Sequence, residues 1–289
     1  MIRSIPILQL VQAVNLFILI LIGKYWAFVY LPLNVILLLI LFGTGIEYLF
    51  IYLRDRDFPY FSFSALSTVM GVSLMMVALK WWIYPVVIFL ALLQKHLLRV
   101  EGRHFFNPSN FALIMALLFF HTDAGIVFGQ LGNAFWFAIV VVFVGAVILY
   151  MANRWVISIA FCISYLLLQY LMIVGYDPVM TFEDIYWRFA SVSFIVFVFY
   201  MLTDPRTTPE KRVYQFLFGL SVALVATVLD RVYGYRLQHP FLALFLLSGS
   251  QIIWMKKIDY RLKAVSLFVL IVAIISIQNH PPFYFAMDG

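Results

Sequence analysis

Three stretches of this sequence gather polar side chains beside helix-breaking residues. In Arg103-His104-Phe105-Phe106-Asn107-Pro108-Ser109-Asn110, a basic end meets two asparagines across a proline. Asn caps a helix by accepting from its free N–H groups, and Pro suits a first helical turn. The stretch therefore opens a helix. In apolar surroundings it also describes a broken or re-entrant helix whose positive N-terminal end faces a ligand. In Thr203-Asp204-Pro205-Arg206-Thr207-Thr208-Pro209-Glu210-Lys211-Arg212, Pro205 ends one helix, Asp204 and Thr208 can cap, and Pro209-Glu210 suits the start of the next. That stretch is either a rigid turn or the polar rim of a cofactor headgroup site. Phe61-Ser62-Phe63-Ser64-Ala65-Leu66-Ser67-Thr68 carries small hydroxyl residues, which permit close helix packing and interhelical hydrogen bonds. The single Cys162 excludes an intrachain disulfide, a CxxC pair and a four-Cys iron–sulfur site.

The elements that must position these residues follow from composition. Of 289 residues, 65% are apolar, 19% aromatic and only 11% charged. A soluble domain is nearer half apolar and a quarter charged. An ordinary soluble enzyme, a nucleic-acid-binding module and a disordered chain are thereby excluded. An all-α polytopic integral membrane protein with 10–11 transmembrane helices is expected. The apolar segments run over about 5–22, 26–53, 61–79, 81–98, 108–121, 134–152, 155–175, 188–203, 213–231, 238–255 and 262–278. The fifth is short for a full crossing. The first has no small-residue cleavage site after it, because Gly23-Lys24-Tyr25-Trp26 is a poor one, so it is kept as a span.

Loop charge sets the direction. With the N-terminus in the cytoplasm and alternating segments, 14 of the 19 Lys and Arg residues face the cytoplasm and 5 face outside. Eleven spans would leave the C-terminus outside. Two stretches also hint at internal symmetry. Arg103-His104-Phe105-Phe106-Asn107-Pro108 precedes the fifth segment, and Arg236-Leu237-Gln238-His239-Pro240-Phe241 opens the tenth. They fall on opposite sides of the membrane, as two inverted five-helix halves would place them. Those halves span about 1–121 and 134–255, with 262–278 as an extra C-terminal helix.

Taken in order, these clusters resemble the membrane subunit family that includes NqrB of the sodium-pumping NADH:quinone reductase and RnfD of the Rnf complex. Glu47-Tyr48-Leu49-Phe50 with Arg54 looks like the family's Glu-led segment. Phe63-Ser64-Ala65-Leu66-Ser67-Thr68-Val69-Met70-Gly71 looks like its Ser-Ala-x-x-Thr-Gly helix, with Val-Met displacing the Gly. Lys95 through Phe106-Asn107-Pro108-Ser109 looks like its Lys-Gln … Phe-Asn-Pro-Ala stretch, and Thr203-Asp204-Pro205-Arg206-Thr207-Thr208-Pro209 like its Thr-Asp-Pro-x-Thr-Ser-Pro loop. The likeness runs from about residue 45 to 255.

The resemblance implies a subunit of a flavin- or quinone-linked electron transport complex in a bacterial inner membrane, working with other membrane subunits and with no nucleic acid. Some members carry FMN linked to a Thr in a Ser-Gly-Ala-Thr motif. That motif is absent here, so the cofactor expected is a noncovalent flavin (riboflavin or FMN) or a quinone. Asn107, Ser109 and Asn110 are the first-rank cofactor contacts. Lys95 could meet a negative headgroup or a reduced flavin, and Thr203, Asp204 and Thr207 are second-rank contacts. Two other readings stand beside it: a small-solute transporter or channel with an inverted-repeat fold, and a cofactor-free structural subunit. The histidines offer a haem reading without a recognised spacing, and no Gly-x-Ser-x-Gly or His-Glu-x-x-His hydrolase motif occurs.

Overall fold

The computed structural model describes residues 6–56, 62–100, 103–127, 130, 135–175, 181–254, 271–272 and 275. The extra C-terminal helix expected over 262–278 lies outside the described residues except at those last three positions. Arg3 and the tail from His280 lie outside them altogether.

In chain order the helices are α1 (Ile7–Trp26), α2 (Leu33–Asp55), α3 (Ser64–Met75), α4 (Ile83–Leu97), α5 (Pro108–Phe119), α6 (Phe135–Ala152), α7 (Trp155–Gly175), α8 (Phe182–Ala190), α9 (Val192–Val196), α10 (Arg212–Tyr233) and α11 (His239–Trp254). A π-helical turn, Phe197–Met201, extends α9. The strands are β1 (Met76–Ala78), β2 (Arg99–Val100), β3 (Arg103–His104) and β4 (Ala124–Ile126). By length and composition α1, α2, α7 and α10 can each cross a membrane. The pair α8 and α9 with its π turn makes a fifth such unit, bent by 63°. Shorter apolar helices supply the rest, and the protein is an all-α polytopic membrane protein.

Three expected segments differ from what the chain forms. The second starts at Leu33 instead of 26, because α1 runs on to Trp26 and the chain is then non-helical through Pro32. The third, expected over 61–79, is helical only for Ser64–Met75 and then continues as β1. The eighth, expected over 188–203, breaks at Ser191, where the backbone is extended. Two residues of left-handed backbone mark sharp ends: Arg56 at φ 55° caps α2, and Asn153 at φ 52° turns α6 into α7.

Non-helical backbone is tolerated at membrane depth only where protein covers and satisfies it. β1 and β4 meet that condition. They pair antiparallel with Val77 opposite Gly125, and all six residues are buried. The Tyr84 hydroxyl accepts from Ala78 N at 3.2 Å and donates to Met76 O at 3.1 Å, and Gln130 Nε2 donates to the same carbonyl at 2.9 Å. Contacts between loops sort the connections into two ends. Arg103 pairs with Glu210 and Arg154 reaches Pro205 at one end, while Lys80 pairs with Asp123 and Arg188 reaches Arg236 at the other.

Each end holds a buried ionic cluster. At the first, Glu47 of α2 receives Lys95 and, at 3.1 Å, His96, both from α4, with the Ser62 hydroxyl at 3.3 Å. At the second, both oxygens of Asp230 on α10 are saturated. Oδ2 accepts from the Tyr165 hydroxyl at 2.8 Å, Gln169 Nε2 at 2.9 Å and Arg188 at 3.0 Å; Oδ1 contacts His239 Nδ1 at 2.7 Å and Arg236 N at 3.3 Å. The Arg188 guanidinium also lies 3.5 Å from the Tyr235 ring centroid. Breaking such a pair strands the partner charge, at a cost of about 3–5 kcal/mol. Helix packing in lipid relies on close van der Waals approach. α7 and α10 come close together at Gly219, where an added Cβ would lie 2.6 Å from Ile157 O and 3.0 Å from Phe161 N.

Two thermal-unfolding experiments in detergent follow. Gly219→Ala forces two backbones apart and should cost about 1–3 kcal/mol, whereas Gly45→Ala, which has nothing within 4 Å of its new methyl group, should stay within about 0.5 kcal/mol. Asp230→Leu should destabilise by about 3–5 kcal/mol. Adding Arg188→Leu should recover part of that loss, and a double variant no better than the single one contradicts the paired-charge account.

Candidate functional site

The Asn-Pro and Asp-Pro breaks meet. Asn107 precedes α5 with extended backbone (ψ 123°), and its Oδ1 accepts from Asn110 N at 3.0 Å, capping the helix. Its Nδ2 donates to Asp204 Oδ2 at 3.3 Å, across 97 residues of sequence. Asp204 Oδ1 in turn accepts from Arg206 N at 3.0 Å, which shapes the loop behind the π turn. Thr208 and Thr207 donate to Asp204 O at 2.7 and 3.3 Å, and Thr203 donates back to Phe199 O at 2.6 Å. The loop is further held by Arg154, buried at the α6–α7 turn. Its Nε donates to Thr208 Oγ1 at 3.1 Å and its Nη2 to Pro205 O at 3.4 Å.

A cavity of about 130 Å³ adjoins this junction. Its walls come from the first turns of α1 and α3, the start of α5, the π turn and the Asp204 loop. The starts of two short helices, α3 and α5, face it together. At the junction of their walls, Gly71 of α3 packs on Ser109 of α5; a Cβ at Gly71 would lie 2.7 Å from Ser109 Oγ. That contact lets Ser109 approach Thr68 O at 3.4 Å.

Of the seven candidate contacts, Asn107, Ser109 and Asp204 line the cavity. The other four are placed around it. Asn110 ties α5 to α11 through Phe241 O at 3.1 Å and leaves its own Oδ1 buried without a partner. Lys95 is buried against Glu47, and Thr203 and Thr207 brace the Asp204 loop.

Sequence reasoning missed several lining residues. Gln9 and Gln12 lie one helical turn apart on the otherwise apolar start of α1, and neither side chain makes a hydrogen bond among the described residues. Tyr200, on the π turn, is 3% exposed, and beside its hydroxyl lies Asn15, whose Nδ2 donates to Val144 O at 3.4 Å. Ser64 and Arg206, from two of the polar stretches picked out in the sequence, also line the space. The Gln9/Gln12 spacing was the one available signal, because polar residues on a lipid-facing helix should turn inward. His104 Nδ1 lies 2.9 Å from Phe106 O, and burial pushes the imidazole below its usual range against the pull of Asp204. Among the described residues no group of three His, Cys, Asp or Glu is placed to hold a metal ion.

Residues 120–243 match the model of the NQR2, RnfD, RnfE family. The Thr203–Pro209 loop falls inside that span, and the Glu47, Ser64–Gly71 and Phe106–Ser109 stretches precede it. A search of the curated proteins finds no match. The family consists of membrane subunits of multi-subunit electron transport complexes. The match covers 124 of the 289 residues, and over that segment the chain is similar to the NQR2, RnfD, RnfE family.

Proposed function

We propose that this chain binds a noncovalent flavin (riboflavin or FMN) or a quinone in the Asn107–Asp204 cavity and relays electrons within a complex of other membrane subunits. The observation that carries the reading is the 3.3 Å Asn107–Asp204 hydrogen bond, which joins the two polar breaks beside a cavity where the Gln9 and Gln12 amides make no hydrogen bond among the described residues. Buried polar groups normally find partners. A space that collects unpartnered amides suits a ligand with several hydrogen-bonding atoms.

The donor set fits the carbonyls of a quinone or the pyrimidine edge of a flavin: amides from Gln9, Gln12 and Asn107, and the hydroxyl of Ser64. Size sharpens the fit. A pocket for a drug-sized ligand runs to roughly 300–1,000 Å³, so about 130 Å³ encloses a head group or a polar ring edge, with the rest extending through the mouth. When bound, such a group would take up and release electrons between partner subunits. The chain's own part is to orient that edge. Asn107 can present its Nδ2 to ligand or to Asp204, and Ser109 and Gly71 close the floor. Loop charge, with Arg103, Arg154 and Arg206 at the cavity end, supports a cytoplasmic mouth in a bacterial inner membrane.

Support for inverted five-helix halves comes from matching packing. Helix α2 packs on α4 and α7 on α10, and Glu47 and Gln169, each the fifteenth residue of its helix, both join the buried ionic clusters. The same half-helices, α3 and α5 with their paired strands, favour the transporter as second reading. Proteoliposomes that accumulate a solute, with no redox-active molecule bound, would decide for it.

The cofactor reading is tested by absorption spectra and mass spectrometry of the purified protein, which should retain flavin or quinone. Asn107→Ala should lower that content at least about tenfold. Gly45→Ala, whose new methyl group has nothing within 4 Å, should leave most of it. Equal retention in both variants excludes the site.

A further inference from the structure

The π turn borders two spaces. Tyr200 and Met201 line the Asn107–Asp204 cavity, while Val198 and Phe199 line a groove of about 470 Å³ between α6 and α7. Leu149, Ser158 and Val198 form the buried floor of the groove, and Tyr150, Trp155 and Ile159 its exposed rim. We infer that this groove holds an acyl chain of an anionic phospholipid, with the phosphate beside Trp155 on the Arg212 guanidinium.

The floor is apolar. Its one hydroxyl, Ser158 Oγ, donates to Val198 O at 3.1 Å and is not left to hold water. Small residues keep the space open. Ala146 adds only a methyl group to the wall, and at Gly145 beside it α6 closes on Phe199, where an added Cβ would lie 2.7 Å from the ring. From Trp155 to Cys162 the groove follows α7 for about 10 Å. An apolar space on the lipid-facing side of a bundle is filled by hydrocarbon, because an empty one forfeits contacts along its whole lining.

The mouth has a sign. The Arg212 guanidinium lies 5.7 Å from the centre of the Trp155 ring. It is exposed and makes no hydrogen bond or ion pair among the described residues. Arg154, the residue before Trp155, supplies an independent observation. It is 7% exposed, and its bonds run to Thr208 Oγ1, Ala152 O, Asn153 O and Pro205 O, all uncharged. A buried guanidinium without a carboxylate is unusual. The carboxylates nearby do not cancel these charges. The α6–α7 turn and the 203–212 loop carry Arg154, Arg206, Lys211 and Arg212 against Asp204 and Glu210. Glu210 pairs with Arg103 at 2.9 Å, and Asp204 is engaged by Asn107 and the Arg206 N–H. A phosphodiester supplies the missing charge, and its two free oxygens match the guanidinium fork. Basic sites between membrane helices bind anionic head groups in this way. A quinone tail or a partner's helix would fill the groove and leave both arginines unanswered.

The test places the full chain in nanodiscs of equal phosphatidylglycerol and phosphatidylcholine, and native mass spectrometry reads the lipids it retains. The wild type should retain phosphatidylglycerol over phosphatidylcholine by at least about fivefold, and Arg212→Gln should lower that preference about fivefold. Arg56→Gln, an exposed arginine at the end of α2, should change it less than about twofold. Ala146→Trp, at an exposed position, fills the groove and should lower phosphatidylglycerol retention as much as Arg212→Gln does, with the melting temperature unmoved. Ile159→Trp, at a residue 50% exposed, replaces it if it fails to fold.

Equal retention of the two lipids by the wild type overturns the site. So does a preference that survives Arg212→Gln or is lost equally in Arg56→Gln. A preference lost in Arg212→Gln and kept in the groove-filling variant is attraction to the surface, and it overturns the groove as the seat. A quinone or a partner subunit expelled by the new tryptophan, with phosphatidylglycerol unmoved, overturns it as well. None of these outcomes depends on a cofactor in the Asn107–Asp204 cavity.

Discussion

Hydrocarbon offers no hydrogen bonds, so every polar group that this chain takes into the membrane must be answered by the chain itself. Most of the architecture is a response to that constraint. Where α3 stops short at Met75, the freed backbone is taken up by β4 and by Tyr84 and Gln130. Where α5 begins, Asn107 supplies the cap. Where a carboxylate is buried, it is surrounded: Glu47 has Lys95, His96 and Ser62, and Asp230 has five polar N or O neighbours within hydrogen-bond distance.

The same constraint gives the cavity its meaning. In a soluble protein an unpartnered glutamine near a helix end would simply meet water. On α1, Gln9 and Gln12 have lipid on one side and the cavity on the other, and they turn to the cavity. Tyr200 reaches the same wall because the π turn adds a residue to that stretch of helix, Leu202 N bonding to Phe197 O. π turns recur at functional sites for this reason: they redirect a side chain without ending the helix.

Arg154 shows how positioning is shared between distant parts of the chain. It lies at a tight turn held by left-handed Asn153, and it reaches across to the Asp204 loop through Thr208 and Pro205. The Asn107–Asp204 contact thus depends on a third segment, the α6–α7 turn. Read along the chain, Arg154 is one more basic loop residue. Its role is a matter of two loops sharing one end of the bundle.

Composition and pattern determined a good deal alone. A chain 65% apolar and 11% charged can only be a membrane protein, because that surface has no stable place in water. Asn107-Pro108 as a helix start was legible, since capping is local chemistry, and the short fifth segment was visible as a short apolar run. The motifs also pointed to the family whose model matches residues 120–243. Local patterns could not tell where the third segment leaves the helix or that the eighth bends by 63°, because lipid-compatible sequence looks alike whether helical or paired. Nor could they separate residues that line the cavity from those that brace it. Lys95, Asn110, Thr203 and Thr207 look as polar as Asn107 and Asp204, yet their bonds run to Glu47, Phe241 and the loop backbone. Which polar group is left free to meet a ligand is decided by which partners the fold brings within hydrogen-bond distance, and only the tertiary structure contains that information.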